Sequence, residues 1–253
     1  MPNSPSTLAR LYDACRAGAI ALVVATMSAC TSEESGPARA FDPGWRDASP
    51  ESRGLDASVL ADAVDWAREA DGGLHSIVIV RHDRVVLRAC FWPYDCQALH
   101  ELASVTKSVT STLLGIAEER GLVASEDRLT RWFPEHADML EKTGKGNITL
   151  AHLAAMTAGF DCGKVPGELE LRAMQASADW VQYALDLPVA AAPGAEWAYC
   201  SSATHLLAAA LTRAVGGDLE DFAEESLFAP LGITTHEWPR DPQGIVRGYG
   251  DLR

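Results

Sequence analysis

Residues 103–121 read Ala103-Ser-Val-Thr-Lys-Ser-Val-Thr-Ser-Thr-Leu-Leu-Gly-Ile-Ala-Glu-Glu-Arg-Gly121. Apolar side chains recur in this stretch at helical spacing, at Val105, Val109, Leu113 and Ile116. That spacing predicts a helix, and Gly121 is typical of the residue that ends one. Most of the polar residues between them are Ser and Thr rather than charged residues, so we expect the helix to be largely buried.

Ser104 and Lys107 form a Ser-x-x-Lys pattern at the start of this helix. Residues i and i+3 share one face of a helix, so the hydroxyl and the amine can meet. A serine hydroxyl needs a base within hydrogen-bonding reach to become a nucleophile, and a lysine can be that base only in its neutral form, which burial favours. About one such match is expected by chance in a chain of this length. The alternative is a serine near the helix start followed by a lysine that points outward.

A second candidate group lies in Trp197-Ala-Tyr-Cys-Ser201, which follows the turn Ala192-Pro-Gly194 and precedes a predicted helix. A Tyr-x-Ser at such a junction can present a phenol and a hydroxyl to one cleft. A phenolate near an ammonium group can accept a proton and return it. Without Ser104, packing in the core would be the better explanation of Tyr199.

The rest of the chain predicts a short sheet and many helices. Residues 77–80 and 85–89 are rich in β-branched residues and flank Arg81-His-Asp-Arg84, which predicts a β-hairpin. Before it, Asp56 can cap a helix with four apolar residues on one face: Val59, Leu60, Val64 and Ala67. Later helices are predicted to begin at four further capping residues: Thr149, Ser177, Ser202 and Asp218.

The N-terminal residues resemble the leader of a bacterial lipoprotein. Arg10 and Arg16 precede an apolar run at residues 17–25, which is too short to cross a bilayer as a helix. Met27-Ser-Ala-Cys30 resembles a lipobox, which implies cleavage before Cys30 and lipid attachment to its sulfur. We predict a signal peptide at residues 1–29, a flexible tether at residues 30–54 and a folded domain at residues 55–253. A buried N-terminal helix is the alternative. The predicted location is extracytoplasmic, with the lipid as anchor to the membrane.

Two of the six cysteines, Cys15 and Cys30, lie in this predicted leader. Four remain in the predicted domain, an even number for an oxidising compartment: Cys90, Cys96, Cys162 and Cys200. Four cysteines allow three connectivities, and the sequence does not choose among them. Pairing Cys90 with Cys96 is the local option and would leave Cys162 for Cys200. Four reduced, buried cysteines are the alternative.

The charge balance excludes one class of partner. The chain has 35 acidic and 21 basic residues, a net charge of -14, and no cluster of Lys or Arg. Binding to a phosphate backbone needs such a cluster, so we predict no nucleic-acid partner. The histidines show no metal-ligand spacing, and neither a metal nor an organic cofactor is predicted; they are His75, His82, His100, His136, His152, His205 and His236.

Four stretches match, in order, the motifs of one known family. They are Leu102-Ala-Ser-Val-Thr-Lys-Ser108, Ile148-Thr-Leu-Ala-His-Leu-Ala-Ala-Met-Thr-Ala-Gly159, Pro193-Gly194 with Tyr199-Cys-Ser201, and Leu227-Phe-Ala-Pro-Leu-Gly-Ile233. From about residue 56 onward the chain resembles the β-lactamase-related serine hydrolases. These include class C β-lactamases, D-alanyl-D-alanine carboxypeptidases, esterases and 6-aminohexanoate-oligomer hydrolases. Tyr199-Cys-Ser201 and Gly159-Phe-Asp-Cys162 look most like an amide- and ester-hydrolysing branch, since Tyr-x-Asn is usual in classical β-lactamases.

The resemblance implies roles for four residues. Ser104 would be acylated, and Lys107 would hold its proton network. Tyr199 would be the general base and acid, and Ser201, in the place of the usual Asn, would touch the substrate or Lys107. The backbone N–H of Ser104 would be one donor of an oxyanion hole.

The resemblance also implies the fold, an α/β fold of the α+β type. An antiparallel sheet flanked by helices would lie beside a helical lobe, with the cleft between them. Family members carry a third motif, Lys-Thr-Gly or His-x-Gly, on a later strand, and nothing like it follows Ser201. We therefore expect the chain to lack the C-terminal strands of the family. A fragment is favoured over a natural truncation, because native sheets rarely leave edges open.

The sequence thus predicts a serine hydrolase that cleaves a small-molecule amide, ester or β-lactam-like substrate through an acyl-enzyme. One alternative is a lipid-anchored module that binds or senses penicillin-like ligands without turnover. Another is an inactive truncated product. The sequence does not identify the substrate, because pocket shape selects among these bonds.

Overall fold

The strands of the described chain form one small mixed sheet. The structure, a computed structural model, describes residues 46–69, 73–96, 98–162 and 169–253. Strands β1 (Arg46–Asp47), β2 (Ser76–Arg81) and β3 (Arg84–Cys90) lie in the order β1-β3-β2. β2 pairs antiparallel with β3, whereas β1 pairs parallel with it. The sheet is therefore mixed, which corrects the predicted antiparallel sheet, while the α/β class is confirmed.

The predicted hairpin is confirmed as β2 and β3. His82 and Asp83 join the strands with φ angles of 50° and 57°. Two consecutive residues with positive φ make a turn whose twist matches that of the strands. β3 buries Val85 and Val86, whereas no residue of β2 is buried, so β3 is the inner strand of the hairpin.

The folded domain includes residues that were predicted to be tether. β1 pairs with β3, and the Ala48 N–H donates to the Val85 carbonyl at 3.0 Å. Glu51–Arg53 then form a 3-10 helix that Gly54 ends at a φ of 71°. Residues 46–54, which the sequence assigned to the tether, thus take part in the sheet and in the turn beside it, and the tether itself stays a prediction. The predicted signal peptide, Cys30 and the rest of the tether lie outside the described residues.

Helices are the main secondary structure of the described chain. The helices are α1 (Ala57–Glu69), α2 (Thr106–Glu119), α3 (Leu129–Trp132), α4 (Ala137–Lys142), α5 (Leu150–Ala154), α6 (Leu169–Ala176), α7 (Trp180–Asp186), α8 (Ser201–Val215) and α9 (Leu219–Ala223). Thr149 and Asp218 cap α5 and α9 as predicted. The cap of α7 is Asp179 rather than Ser177. Pro134–His136 form a 3-10 turn, and a π-helical turn at Glu224–Phe228 follows α9.

Helix α8 lies at the centre of the core. Every residue from Ser201 to Leu211 is buried, so this helix is enclosed on all sides over its first three turns. α2, α5 and α7 pack against it. α2 contributes Leu113 and Leu114 to the same core, although Val105, at its predicted apolar face, is 60% exposed.

Helix α1 is less buried than its pattern predicted. Of the four residues expected on its apolar face, only Ala67 is buried. Val59 is 61% exposed, and the neighbouring Trp66 is 67% exposed. The helix therefore forms at the predicted place without the predicted burial.

Two disulfides cross-link the described chain. Cys90 is bonded to Cys96 at the end of the hairpin, and Cys162 is bonded to Cys200 just before α8. This is the one of the three possible connectivities that pairs Cys90 with its neighbour in the sequence, Cys96. None of the helices in the described part of the chain combines the length and the apolar character that crossing a bilayer requires.

Candidate active site

Ser104 lies in a 3-10 turn, Ala103–Val105, that runs directly into α2. The preceding residue, Ala103, has a φ of 43°, a left-handed conformation that a non-glycine residue rarely adopts. The Thr106 hydroxyl donates to the Ala103 carbonyl at 2.7 Å and closes the turn. Backbone strain of this kind is concentrated at functional sites. Here it presents an exposed serine at the start of a helix that buries only six of its residues, so the prediction of a largely buried helix was wrong.

Three of the predicted side chains meet at Ser104 Oγ. Lys107 Nζ donates to this oxygen at 2.9 Å, and the Tyr199 phenol donates to it at 2.6 Å. Lys107 Nζ also lies 4.8 Å from the centre of the Tyr199 ring. The serine thus has an amine and a phenol within hydrogen-bonding reach, the geometry that activation of a hydroxyl requires.

The position of Tyr199 is set by contacts on both sides of it in the chain. The Ala198 N–H donates to the Met156 carbonyl at 2.9 Å. The residue after Tyr199 is Cys200, which is bonded to Cys162 and immediately precedes the first turn of α8. Tyr199 is 38% exposed, so its phenol remains reachable while its backbone is fixed.

The roles of two other predicted site residues stay predictions. Ser201 is the first residue of α8 and is 1% exposed, so its contact with substrate or Lys107 stays a prediction. Cys30, the predicted lipidation site, lies outside the described residues.

The last residues of the chain complete the surroundings of the lysine, which the sequence analysis missed. We call residues 240–252 the C-terminal segment. Within it, the Tyr249 carbonyl accepts a hydrogen bond from Lys107 Nζ at 2.7 Å. The Gly248 carbonyl accepts one from the Thr110 hydroxyl at 2.7 Å. The Leu252 carbonyl accepts one from the Leu102 N–H at 2.8 Å. The segment therefore lies along α2 and directs the amine.

Gly248 allows this close approach. A Cβ at this position would lie 2.5 Å from Ala208 Cβ and 3.0 Å from the Thr204 carbonyl oxygen. Any side chain would therefore push the segment away from α8. The sequence Gly248-Tyr-Gly250 was the available signal for such a contact, although it does not name the partner.

Two buried titratable groups of the C-terminal segment differ in charge at neutral pH, because one is neutral and the other negative. Burial raises the pKa of the Tyr249 phenol, although a hydrogen bond from Gln175 partly offsets this. Burial also acts to raise the pKa of Asp241, but hydrogen bonds from His205 and from the backbone outweigh it and lower that pKa. Tyr249 is therefore a neutral phenol and Asp241 a carboxylate.

One cluster near α8 has the residue types of a metal site. Cys162 Sγ, Cys200 Sγ and a carboxylate oxygen of Glu170 lie within 4.8 Å of one another. The two sulfurs are bonded to each other, which removes the thiolates that a metal would need. We therefore attribute this cluster to the disulfide.

An exposed serine whose oxygen accepts hydrogen bonds from an amine and a phenol is the arrangement that a candidate serine nucleophile needs. The chain belongs to the beta-lactamase family: the family model described as Beta-lactamase matches residues 60–250. The family expected from the four sequence motifs is thereby confirmed.

Named relatives and a solved structure agree with this assignment. The chain is similar to the Beta-lactamase of Escherichia coli (strain K12), with 32% identity over 157 residues, 62% of this chain and 39% of that protein. It is also similar to the Monacolin J acid methylbutanoyltransferase of Aspergillus terreus, with 32% identity over 209 residues, 74% of this chain and 50% of that protein. The chain thus spans about half the length of these relatives or less.

The likeness to a putative 6-aminohexanoate-dimer hydrolase from Bacillus anthracis confirms the fold. That structure gives a TM-score of 0.64 at 18% identity and covers 76% of this chain and 52% of its own. At this identity the comparison shows the fold alone. It establishes the β-lactamase/transpeptidase-like architecture that the sequence predicted.

Proposed function

We propose that this protein is a serine hydrolase that cleaves an amide or ester bond through an acyl-enzyme at Ser104. The observation that carries the proposal is the convergence of two hydrogen bonds on Ser104 Oγ, from Lys107 at 2.9 Å and from Tyr199 at 2.6 Å. The hydroxyl is exposed, so a substrate carbonyl can reach it. Family membership supports the same chemistry.

The proposed reaction balances through these three side chains. In the reacting form Tyr199 has first released its own proton to solvent, so that its oxygen accepts the hydrogen bond of the Ser104 hydroxyl instead of donating one. Ser104 Oγ then bonds to the substrate carbonyl carbon while its proton passes to the Tyr199 oxygen. Tyr199 then gives that proton to the leaving nitrogen or oxygen as the acyl bond breaks. The Lys107 amine, 4.8 Å from the phenol ring, stabilises negative charge on Tyr199 and holds the serine in place. Water reverses these steps at the acyl-serine and releases the acid.

The proposed substrate is a small-molecule amide, ester or β-lactam-like compound. The relatives include a β-lactamase and a methylbutanoyltransferase, whose names both describe reactions at an acyl group. The Tyr199-Cys-Ser201 motif resembles the amide- and ester-hydrolysing branch of the family, and this likeness favours a simple amide or ester as substrate. Acyl transfer through a serine needs neither a metal nor an organic cofactor.

We also propose an extracytoplasmic location with a lipid anchor at Cys30. The two disulfides support it, because such bonds persist in oxidising compartments and are rare in the cytosol. The lipobox-like Met27-Ser-Ala-Cys30 supports the anchor.

Intact mass spectrometry after incubation with a fluorophosphonate probe tests the nucleophile. We expect one adduct on the wild type and none on Ser104→Ala. Ser108→Ala is the matched control, because Ser108 is an exposed serine one turn further along the same helix; it should label as the wild type does. Labelling of Ser104→Ala, or an unlabelled wild type, would contradict the proposal.

A p-nitrophenyl ester separates a hydrolase from a module that is acylated once. If the protein is a hydrolase, the acyl adduct disappears as the ester is consumed, and product exceeds one equivalent. A single equivalent of product with a lasting adduct would instead identify the non-turnover binding module.

A further inference from the structure

Two ionisable side chains that the proposed reaction does not use form a pair inside the protein. His205 Nε2 lies 2.9 Å from Asp241 Oδ2, and both side chains are 0% exposed. His205 belongs to α8, whereas Asp241 lies in the C-terminal segment. Replacing such a buried pair with apolar residues often costs no stability. Stability alone therefore does not explain why this buried pair is present.

Asp241 connects α8 to a turn of the C-terminal segment. One carboxylate oxygen faces His205, and the other accepts the N–H groups of Gln243 and Ile245, each at 2.8 Å. The Asp241 N–H donates in turn to the Ile245 carbonyl at 2.8 Å. The carboxylate thus fixes the conformation of the turn and ties it to His205.

The same pair contacts the residue that directs the lysine. The Tyr249 ring lies edge-on to the His205 ring, with centres 5.9 Å apart and planes at 73°. Gln175 Nε2 donates to the Tyr249 hydroxyl at 3.0 Å. The carbonyl of this tyrosine is the acceptor for Lys107 Nζ at 2.7 Å. One residue therefore separates the buried pair from the amine beside Ser104.

We propose that His205 and Asp241 are positioning residues for the reaction of Ser104. They fix the C-terminal segment so that the Tyr249 carbonyl meets Lys107 Nζ, which points the amine at Ser104 Oγ. His205 also lies on α8, which begins two residues after Tyr199. The pair therefore connects the helix next to Tyr199 with the segment that contacts Lys107. The inference rests on the proposed acylation of Ser104.

A buried group elsewhere in the core provides the control for a merely structural role. Lys145 is 3% exposed, and its amine donates to the Leu185 carbonyl at 2.5 Å. Burial lowers the pKa of Lys145. Like His205 and Asp241, this residue is therefore an ionisable group shielded from water. Its hydrogen-bond partner lies in α7, outside the C-terminal segment. Lys145→Met should change the melting temperature without changing the rate at Ser104.

The experiment measures the first-order rate of phosphonylation by a fluorophosphonate, in variants shown by circular dichroism to be folded. His205→Leu removes the donor and should slow this rate about 10- to 100-fold, as small misplacements of catalytic groups do. The probe concentration at half-maximal rate should stay unchanged. His205→Gln can still donate an N–H from the Nε2 position and should recover most of the rate.

Asp241→Asn, which keeps the shape of the side chain, carries the same test if His205→Leu does not fold. Wild-type rates in both variants, or an equal slowing in Lys145→Met, would overturn the inference. An unlabelled wild type would contradict the proposed function instead.

Hydrogen exchange tests whether the pair holds the C-terminal segment in place. Backbone exchange of residues 246–252 should be faster in the His205 and Asp241 variants and unchanged in Lys145→Met. Unchanged exchange in the variants of His205, Asp241 and Lys145 would overturn the inference that the pair positions this segment.

Discussion

At the scale of single residues, the phenol of Tyr199 allows chemistry to be separated from packing. Its oxygen lies 2.6 Å from Ser104 Oγ, while 38% of the residue is exposed. Tyr199→Phe removes that oxygen and leaves the ring. We expect the rate of adduct formation at Ser104 to fall about 10²- to 10⁴-fold, the usual contribution of a general base or acid. The free energy of unfolding should change by less than about 0.5 kcal/mol.

Tyr94→Phe is the matched control for this prediction. Tyr94 is 42% exposed and lies in the loop after β3, where its ring stacks on His75. The rates come from intact mass spectrometry over time, and stabilities from urea unfolding. An unchanged rate in Tyr199→Phe would remove Tyr199 from the mechanism, and a comparable loss in Tyr94→Phe would point to a general effect of losing a phenol.

The side chains at Ser104 could be predicted from the sequence, but the carbonyl that directs Lys107 could not. Ser104, Lys107 and Tyr199 have residue types that name their chemistry, and they stand within recognisable motifs. Tyr249 acts on Lys107 through its backbone oxygen, which every residue has, so no residue type marks the position. The sequence separation of 142 between the two residues also leaves no local spacing from which to infer the contact.

At the scale of elements, the loop after α5 fixes the segment that leads to Tyr199. Gly159 has a φ of 81°, and its carbonyl accepts the Ala190 N–H at 2.8 Å. A Cβ at residue 159 would lie 2.1 Å from the Ala191 carbonyl oxygen. Gly159→Ala should therefore lower the free energy of unfolding by about 2–4 kcal/mol, from backbone strain and overpacking together.

Gly115→Ala tests the same substitution where the structure permits it. Gly115 lies inside α2, and a Cβ there would have no neighbour within 4 Å. Alanine is the better helix former, so this variant should gain about 0.5–1 kcal/mol. Urea unfolding of both variants is the measurement. Equal effects at the two positions would contradict the close contact at Gly159.

Regular elements followed their sequence patterns, and irregular ones did not. Helix α2 and the hairpin have clear apolar periodicity. This periodicity predicts the element directly, because it places apolar side chains on one face of a helix or strand. β1 is two residues long, so it has no period to detect, and its pairing with β3 depends on tertiary packing. The α7 cap at Asp179 instead of Ser177 shows the same limit, because both residue types can cap a helix and the packing of the helix chooses between them.

At the scale of the whole molecule, charge opposes contact with a membrane. The net charge of -14 repels an anionic lipid surface, so electrostatic attraction cannot hold the protein there. A single attached acyl chain gives only reversible binding, and stable anchoring needs more than one. If the leader is cleaved as proposed, we expect membrane attachment to depend on the covalent lipid that the sequence predicts at Cys30.

Metabolic labelling with palmitate in a bacterial host tests that attachment directly. We expect the wild type to incorporate the label and Cys30→Ala to lose it, because the thioether sulfur is the proposed point of attachment. Cys15→Ala is the matched control, since Cys15 lies in the predicted leader before the cleavage point and should leave labelling intact. Label on Cys30→Ala, or none on the wild type, would reject the anchor. Lipid incorporation is the decisive readout because an uncleaved leader could keep Cys30→Ala at the membrane through its apolar run alone.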